Sequence, residues 1–369
     1  MFKIDNPYQT IIATNNDVLL KPIVRKDVDH ILFCSGGGIQ ACFFTMGAIK
    51  CLIENNEFIN KFDIITSTSG SVIPCLLIEQ CYKNNLVGRK NWYKKYVMNR
   101  IHKFFKTNYV LNIIEEMIHL YNNENGNNAK ELFLKTINDK FVLPNKKPTN
   151  ANKNIKKPMF LYNYLDGNTL KESNDMSDLK HNKYKYALTL LRSALPFTIC
   201  QKTPSFDGGL ANNCVSTSVL NNYNPKKATI ISINNSYFYK KYKQKSLFEM
   251  LNVLFFNYGT ISDINSVNFS SDLLNEDNTT LITISNQLQP SKNRIHKDVF
   301  VDWDKQKTFI DNYSPFLYDM FIIIENEGYI QTHTQLKNKT KQLKEKKIPN
   351  PEVYNRDIVF KTIPRHKYS

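Results

Sequence analysis

The chain has 369 residues, of which 41% are hydrophobic, enough to bury a full core and too apolar for a disordered polymer. Its net charge of +16 sits on three segments: 83–106 carries eight cations and no acid, 146–157 carries five lysines and no acid, and 337–369 carries eight lysines and two arginines against three acids. The remaining chain is weakly acidic, which argues against a nucleic-acid cleft running through the fold and favours contact with an anionic surface.

Taken in order, the first residues (MFKIDNPYQTIIATNN) contain no basic segment leading into an apolar one, so no signal peptide is expected and an intracellular location, peripheral on membranes, is. A buried-strand pattern, His30–Cys34, runs into Ser35-Gly36-Gly37-Gly38, and apolar residues then recur at helical spacing through Phe43, Met46, Ile49, Leu52 and Ile53. A second strand, Phe62–Thr66, runs into Ser67-Thr68-Ser69-Gly70-Ser71 and another apolar helix through Leu77. Residues 83–106 read as one basic helix with Tyr93, Val97, Ile101 and Phe104 on a stripe. A helix near Ala129–Asp139, a lysine-rich loop at Lys146–Lys157, a strand at Met159–Leu165, a helix at Tyr186–Leu195 and a strand–turn at Ser205–Gly209 follow. Strands at Ala228–Asn234 and Thr279–Ser285 and helices near Leu247–Phe256 and Lys305–Glu327 close the fold. No apolar run reaches the roughly eighteen residues a membrane span needs. The alternation predicts an α/β fold of three layers, a mostly parallel sheet with helices on both faces.

The seven cysteines (Cys34, Cys42, Cys51, Cys75, Cys81, Cys200, Cys214) are scattered with no CxxC pair. That pattern predicts buried structural thiols in a reducing compartment rather than a zinc site, a disulfide framework or a catalytic thiol. No metal site and no cofactor are expected.

Three short stretches could carry chemistry. Gly36-Gly37-Gly38 opens a helix after a strand, a device that turns backbone N–H groups toward a phosphate or an oxyanion. The same run fits G-x-G-x-x-A (Gly36, Gly38, Ala41), but a dinucleotide site wants an acid at the end of the next strand, and that strand ends in Thr66-Ser67-Thr68-Ser69. Ser69 stands between small residues on a strand-to-helix turn, as a nucleophile elbow requires; an ordinary polar turn has the same composition. Asp207-Gly208-Gly209 is by itself a common turn.

In this order the three stretches resemble the patatin-like phospholipases. FDIITSTSGSVIPCLL is similar to that family's strand, Gly-x-Ser-x-Gly elbow and helix; LRSALPF (Leu191–Phe197) is similar to the segment before its aspartate; and DGGLANN is similar to the aspartate motif itself. The resemblance spans about residues 30–225. It implies Ser69 as nucleophile and Asp207 as base, a dyad without histidine, with the oxyanion held at Gly36, Gly37 and Gly38 and the motifs supported by Ser67, Gly70, Ser71, Gly208 and Gly209. It also implies lipid-ester hydrolysis, with phospholipids or neutral lipids as substrate. Ser67 and Ser71 stand where the family has glycine, Gln40 where it has a cation, and Ala41 where it has the next glycine. These departures leave as the alternative a catalytically weak or inactive protein of the same fold, acting as a lipid- or membrane-binding module. A conventional triad through His296 or His333 is a further alternative.

The expected organisation is a lead-in over 1–29, a catalytic core over 30–225, a completion of the α/β fold over 226–335, and a basic extended tail over 336–369. Expected partners are the lipid substrate and an anionic membrane surface met by segments 83–106, 146–157 and 337–369, with Trp92, Phe104 and Phe105 as interfacial aromatics; no nucleic acid is expected, and nothing fixes the oligomeric state.

Overall fold

A computed structural model describes residues 25–106, 126–144, 154–166, 169–173, 184–194, 205–210, 213–214, 217–233, 279–285, 318 and 321–338. The strands β1 (Lys26–Cys34) and β2 (Ile64–Ser67) form where the sequence offers unbroken apolar and β-branched runs, and Ile31–Cys34 and all of β2 are buried, as strands covered on both faces must be. With β3 (Met159–Asp166), β4 (Thr169–Ser173), β5 (Ser205–Asp207), β6 (Tyr223–Ser232) and β7 (Thr280–Ser285) they make a seven-stranded sheet in the order β4-β3-β2-β1-β6-β7, with β5 added to β3. The five strands β3, β2, β1, β6 and β7 are parallel; β4 and β5 run antiparallel to β3.

Side-chain alternation divides the core between the two faces of the sheet. Leu32, Cys34, Ile65, Tyr162 and Ile231 pack with α1 (Gly38–Glu54) and α2 (Val72–Lys83). Ile31, Phe33, Ile64, Leu161 and Ile230 pack with Val219 and Leu220 of a short helix, Thr217–Asn222. The result is a three-layer α/β fold with a mostly parallel sheet. The remaining described helices are Asn99–Lys106, Gly126–Lys140, Lys185–Ala194 and one over 321–338, so in chain order the helices are α1, α2, α3 (Asn99–Lys106), α4 (Gly126–Lys140), α5 (Lys185–Ala194), α6 (Thr217–Asn222) and α7 (321–338).

Three local expectations change. Residues 83–106 are not one helix: α2 ends at Lys83, left-handed backbone at Asn85, Gly88 and Asn91 turns the chain, and a π-helical turn at Lys94–Met98 leads into α3. Asn and Gly tolerate that conformation, so the break is written in residue types that helical periodicity does not weigh. Trp92 and Phe104 are buried in the core rather than facing outward, and the Tyr93 hydroxyl ties the segment to α1 by donating to the Met46 carbonyl at 2.9 Å. The C-terminal helix runs past Glu327 and Gly328 to 338. Gly328 is a packing position, not a stop: a methyl group there would lie 2.1 Å from the Phe44 carbonyl oxygen, and one at Gly47 would lie 1.8 Å from the Glu325 carbonyl oxygen. Two glycines thus let α7 and α1 touch backbone to backbone, flanked by the stacked rings of Phe43 and Phe321, 5.0 Å apart. The polar edge strand β4 and the six-residue α6 have no counterpart in the sequence expectation, and the expected helix at Leu247–Phe256 lies outside the described residues. Among the described residues no helix is long and apolar enough to cross a membrane.

Candidate active site

The register of the sheet assembles the site. Cys34 at the end of β1 lies opposite Ser67 at the end of β2, so the turns leaving the two strands, Ser35–Gly37 and Thr68–Ser71, rise side by side at the carboxyl edge. Next to them β3 continues beyond Tyr162, the partner of Ser67. Its far edge is taken by β4, so β5 occupies the near edge where β2 has ended, placing Asp207 opposite Tyr164. Asp207 therefore stands in line with β2, just past its end, at the level of Ser69. A single antiparallel pairing brings together two residues far apart in sequence.

Ser69 sits on a strand–turn–helix. Thr68 is still extended (φ −128°), Ser69 has φ +52°, and a 3₁₀ turn, Ser69–Ser71, hands over to α2. A positive φ in a serine is strained by the order of 1 kcal/mol or more, and such strain persists only where surrounding contacts hold it. Here they do. The Thr68 N–H donates to the Cys34 carbonyl at 3.1 Å. The Ser71 hydroxyl donates to the Ser35 carbonyl at 2.5 Å and lies 2.8 Å from the Thr45 hydroxyl. The Asn163 amide donates to the Thr68 hydroxyl at 2.7 Å. Ser71, standing where the resemblance leads one to expect glycine, thereby ties the elbow to the loop after β1. Ser67 is buried, and its hydroxyl has no hydrogen-bond partner among the described residues.

The loop after β1 crosses directly over the elbow. A methyl group on Gly70 would lie 1.8 Å from the Gly38 carbonyl oxygen, and one on Gly36 would lie 2.8 Å from Ser69 Cβ. Gly37 and Gly38 have φ of 137° and 63°, open to glycine, and Gly38 begins α1, whose first N–H groups lack intrahelical acceptors. Gly36 differs from its neighbours. Its N–H donates to the Asn213 carbonyl at 2.7 Å, so that N–H is spent on holding the loop, and of the three expected oxyanion donors Gly37 and Gly38 remain as candidates. Gln40 occupies the first turn of α1 half-buried, and Ala41 is buried.

The Ser69 side chain lies beside the Asp207 carboxylate, near enough to favour its ionised form. That carboxylate also accepts the Gly209 N–H at 2.8 Å. Ser69 and the Gly209 N–H both favour the ionised form, yet burial outweighs them and pushes the Asp207 carboxyl from the ordinary 3.8 up to about 6. Gly208 fits against the Asn163 backbone, where a methyl group would come within 2.6 Å, and one on Gly209 would meet Asn213 Oδ1 at 2.6 Å. The described cysteines are free and buried; burial raises the Cys34 thiol well above its usual range, which makes it a poor nucleophile.

Histidine is engaged elsewhere. His30 bonds Thr229, and His102 pairs with Glu325 of α7. His333 stacks on Tyr329, whose hydroxyl donates to Glu54 at the last turn of α1. Seventeen helical residues separate that turn from Gly38, about 25 Å, so His333 cannot complete a triad with Ser69; His296 lies outside the described residues. Asn163 and Asn213 were not singled out by the sequence. Asn213 stands at the end of DGGLANN, and only the contact with Gly36 reveals what it does.

No family model matches the chain, and no curated protein matches its sequence. Among solved structures, VipD from Legionella pneumophila is similar to it over 85% of this chain and 67% of that one, with 13% identity and a TM-score of 0.29. A likeness that distant transfers neither fold nor activity.

Proposed function

We propose that this chain is a patatin-like lipid acyl hydrolase that cleaves carboxylic esters of phospholipids or neutral lipids through a Ser69 acyl-enzyme, with Asp207 as base. The observation that carries this reading is the placement of a strained elbow serine beside a buried carboxylate raised to about 6. An aspartate of ordinary pKa, about 4, is a weak base for a hydroxyl; one near the working pH is better matched to taking and returning a proton.

In the proposed cycle Asp207 accepts the Ser69 proton as Oγ attacks the ester carbonyl. The tetrahedral oxyanion is held by the N–H groups of Gly37 and Gly38 at the start of α1, where the helix terminus favours negative charge. The C–O bond of the ester then breaks and Asp207 returns the proton to the departing alcohol. Water, deprotonated by Asp207, then attacks the acyl-enzyme; the acyl–Oγ bond breaks, Asp207 returns the proton to Ser69 Oγ, and the fatty acid is released. The exposed lysines of 83–106 would add attraction to an anionic lipid surface, each worth about 1 kcal/mol close to it. Lys83 stands at the far end of α2, about 18 Å from the elbow, where it would hold the protein to a surface rather than line the site.

The test is hydrolysis of a panel of phospholipids, lysophospholipids and triglycerides, read by mass spectrometry. Fatty acid released by the wild-type protein and lost in Ser69→Ala is the expected result. If Ser69→Ala releases as much as wild type, or no ester is cleaved, the hydrolase reading fails and the lipid-binding alternative takes its place.

A further inference from the structure

We infer that Asn213 is a positioning residue that holds the Gly37–Gly38 cradle against the Ser69–Asp207 pair; the inference rests on the acyl-hydrolase reading of that site. Its backbone and its side chain grip the site from two directions. The backbone carbonyl accepts the Gly36 N–H at 2.7 Å, which fixes the residue immediately before the cradle. The side-chain amide lies in the gap between Gly36 and Gly209: its Oδ1 is 2.1 Å from where a Cβ on the first would stand and 2.6 Å from where a Cβ on the second would stand. Gly209 in turn donates its N–H to Asp207, and Gly36 abuts Ser69 Cβ. One buried side chain therefore touches the residue that carries the cradle and the residue that orients the base.

This arrangement also explains why positions 36 and 209 are glycine although neither is required there by a positive φ. Both have yielded their side-chain space to Asn213. Truncating Asn213 would open a small void at that point and let the loop over the elbow move. A displacement of about 1 Å at a reacting centre can slow a reaction about 100-fold.

The experiment compares wild type, Asn213→Ala and Asn213→Ser on p-nitrophenyl butyrate, a water-soluble ester, together with hydrogen exchange of the full chain. The expected result is a kcat lowered about 10- to 100-fold with KM within about twofold, and faster exchange at the amides of 36–38 while the β1 and β2 amides stay protected. Asn213→Ser, the smaller change, falls between the two and serves if the alanine variant folds poorly. A kcat within twofold of wild type overturns the inference, as does exchange that rises equally across the whole sheet, the mark of general destabilisation. Should wild type show no Ser69-dependent hydrolysis, the acyl-hydrolase reading falls, and exchange alone decides Asn213: faster at 36–38 supports its grip on the loop, unchanged overturns it.

Discussion

Glycine does two different jobs in two regions of this molecule. At the carboxyl edge of the sheet, Gly36, Gly70, Gly208 and Gly209 let loops from three segments close on a strained serine and a buried carboxylate. Along the seam of α1 and α7, Gly47 and Gly328 let two helices meet backbone to backbone over an apolar layer. The first region keeps a destabilising charge and a strained residue because the proposed chemistry needs them; the second is packing alone. Removing the reactive groups at the edge should therefore cost activity while keeping or raising stability, and overpacking the seam should do the reverse.

The largest effect is expected from Asp207→Asn. It should lower kcat/KM on a soluble ester by about 10⁴-fold, while raising stability at pH 7.5. Because the folded pKa of about 6 lies above the ordinary 3.8, the folded state binds the proton more tightly. Stability thus falls as pH rises from about 4 to 6 and stays lower above it. Two pKa units correspond to about 3 kcal/mol, from which the weakened interactions with Ser69 and Gly209 subtract. Thermal melts of the two proteins at pH 4.5 and 7.5 measure the difference, which should shrink at the lower pH.

At the seam, Gly47→Ala should cost about 1–3 kcal/mol through overpacking against the Glu325 carbonyl. Denaturant titration would register it, and kcat per folded molecule should stay unchanged. If activity falls as steeply as stability, the two regions are coupled and the contrast fails.

Between the extremes stand the two serines that depart from the family pattern. Ser71→Ala removes the hydrogen bond to the buried Ser35 carbonyl and should cost about 1–3 kcal/mol, with a lower kcat because that bond joins loop to elbow. Ser67→Ala removes a hydroxyl without a partner among the described residues and should change stability by less than about 1 kcal/mol. Equal costs for the two would show that the bond from Ser71 is not what holds the loop.

Much of this frame can be seen in the residues alone, for local reasons. Apolar strands ending in Gly36-Gly37-Gly38 and in Ser67–Ser71 announce turns at a sheet edge, and the fold class follows from strands alternating with helices. What stays hidden is non-local. That β5 takes the edge of β3 vacated by β2 depends on a pairing of segments distant in the chain, and the polar strand β4 carries no apolar alternation to mark it. Asn163 and Asn213 look like any loop asparagine until Thr68 and Gly36 are brought beside them. The break in 83–106 was present in Asn85, Gly88 and Asn91, but helical spacing of the apolar residues concealed it, and the continuation of the last helix past Glu327 stayed hidden because the α1 partner of Gly328 is far away in sequence.

Activation of the elbow serine by a buried carboxylate is the central step, and the pH dependence of Ser69 labelling by a fluorophosphonate probes it without any choice of lipid. The expected rate falls about tenfold per pH unit below a midpoint near 6, levels off above it, and is lost in Asp207→Asn. A labelling rate indifferent to pH between 5 and 8, or equal in wild type and Asp207→Asn, would contradict it.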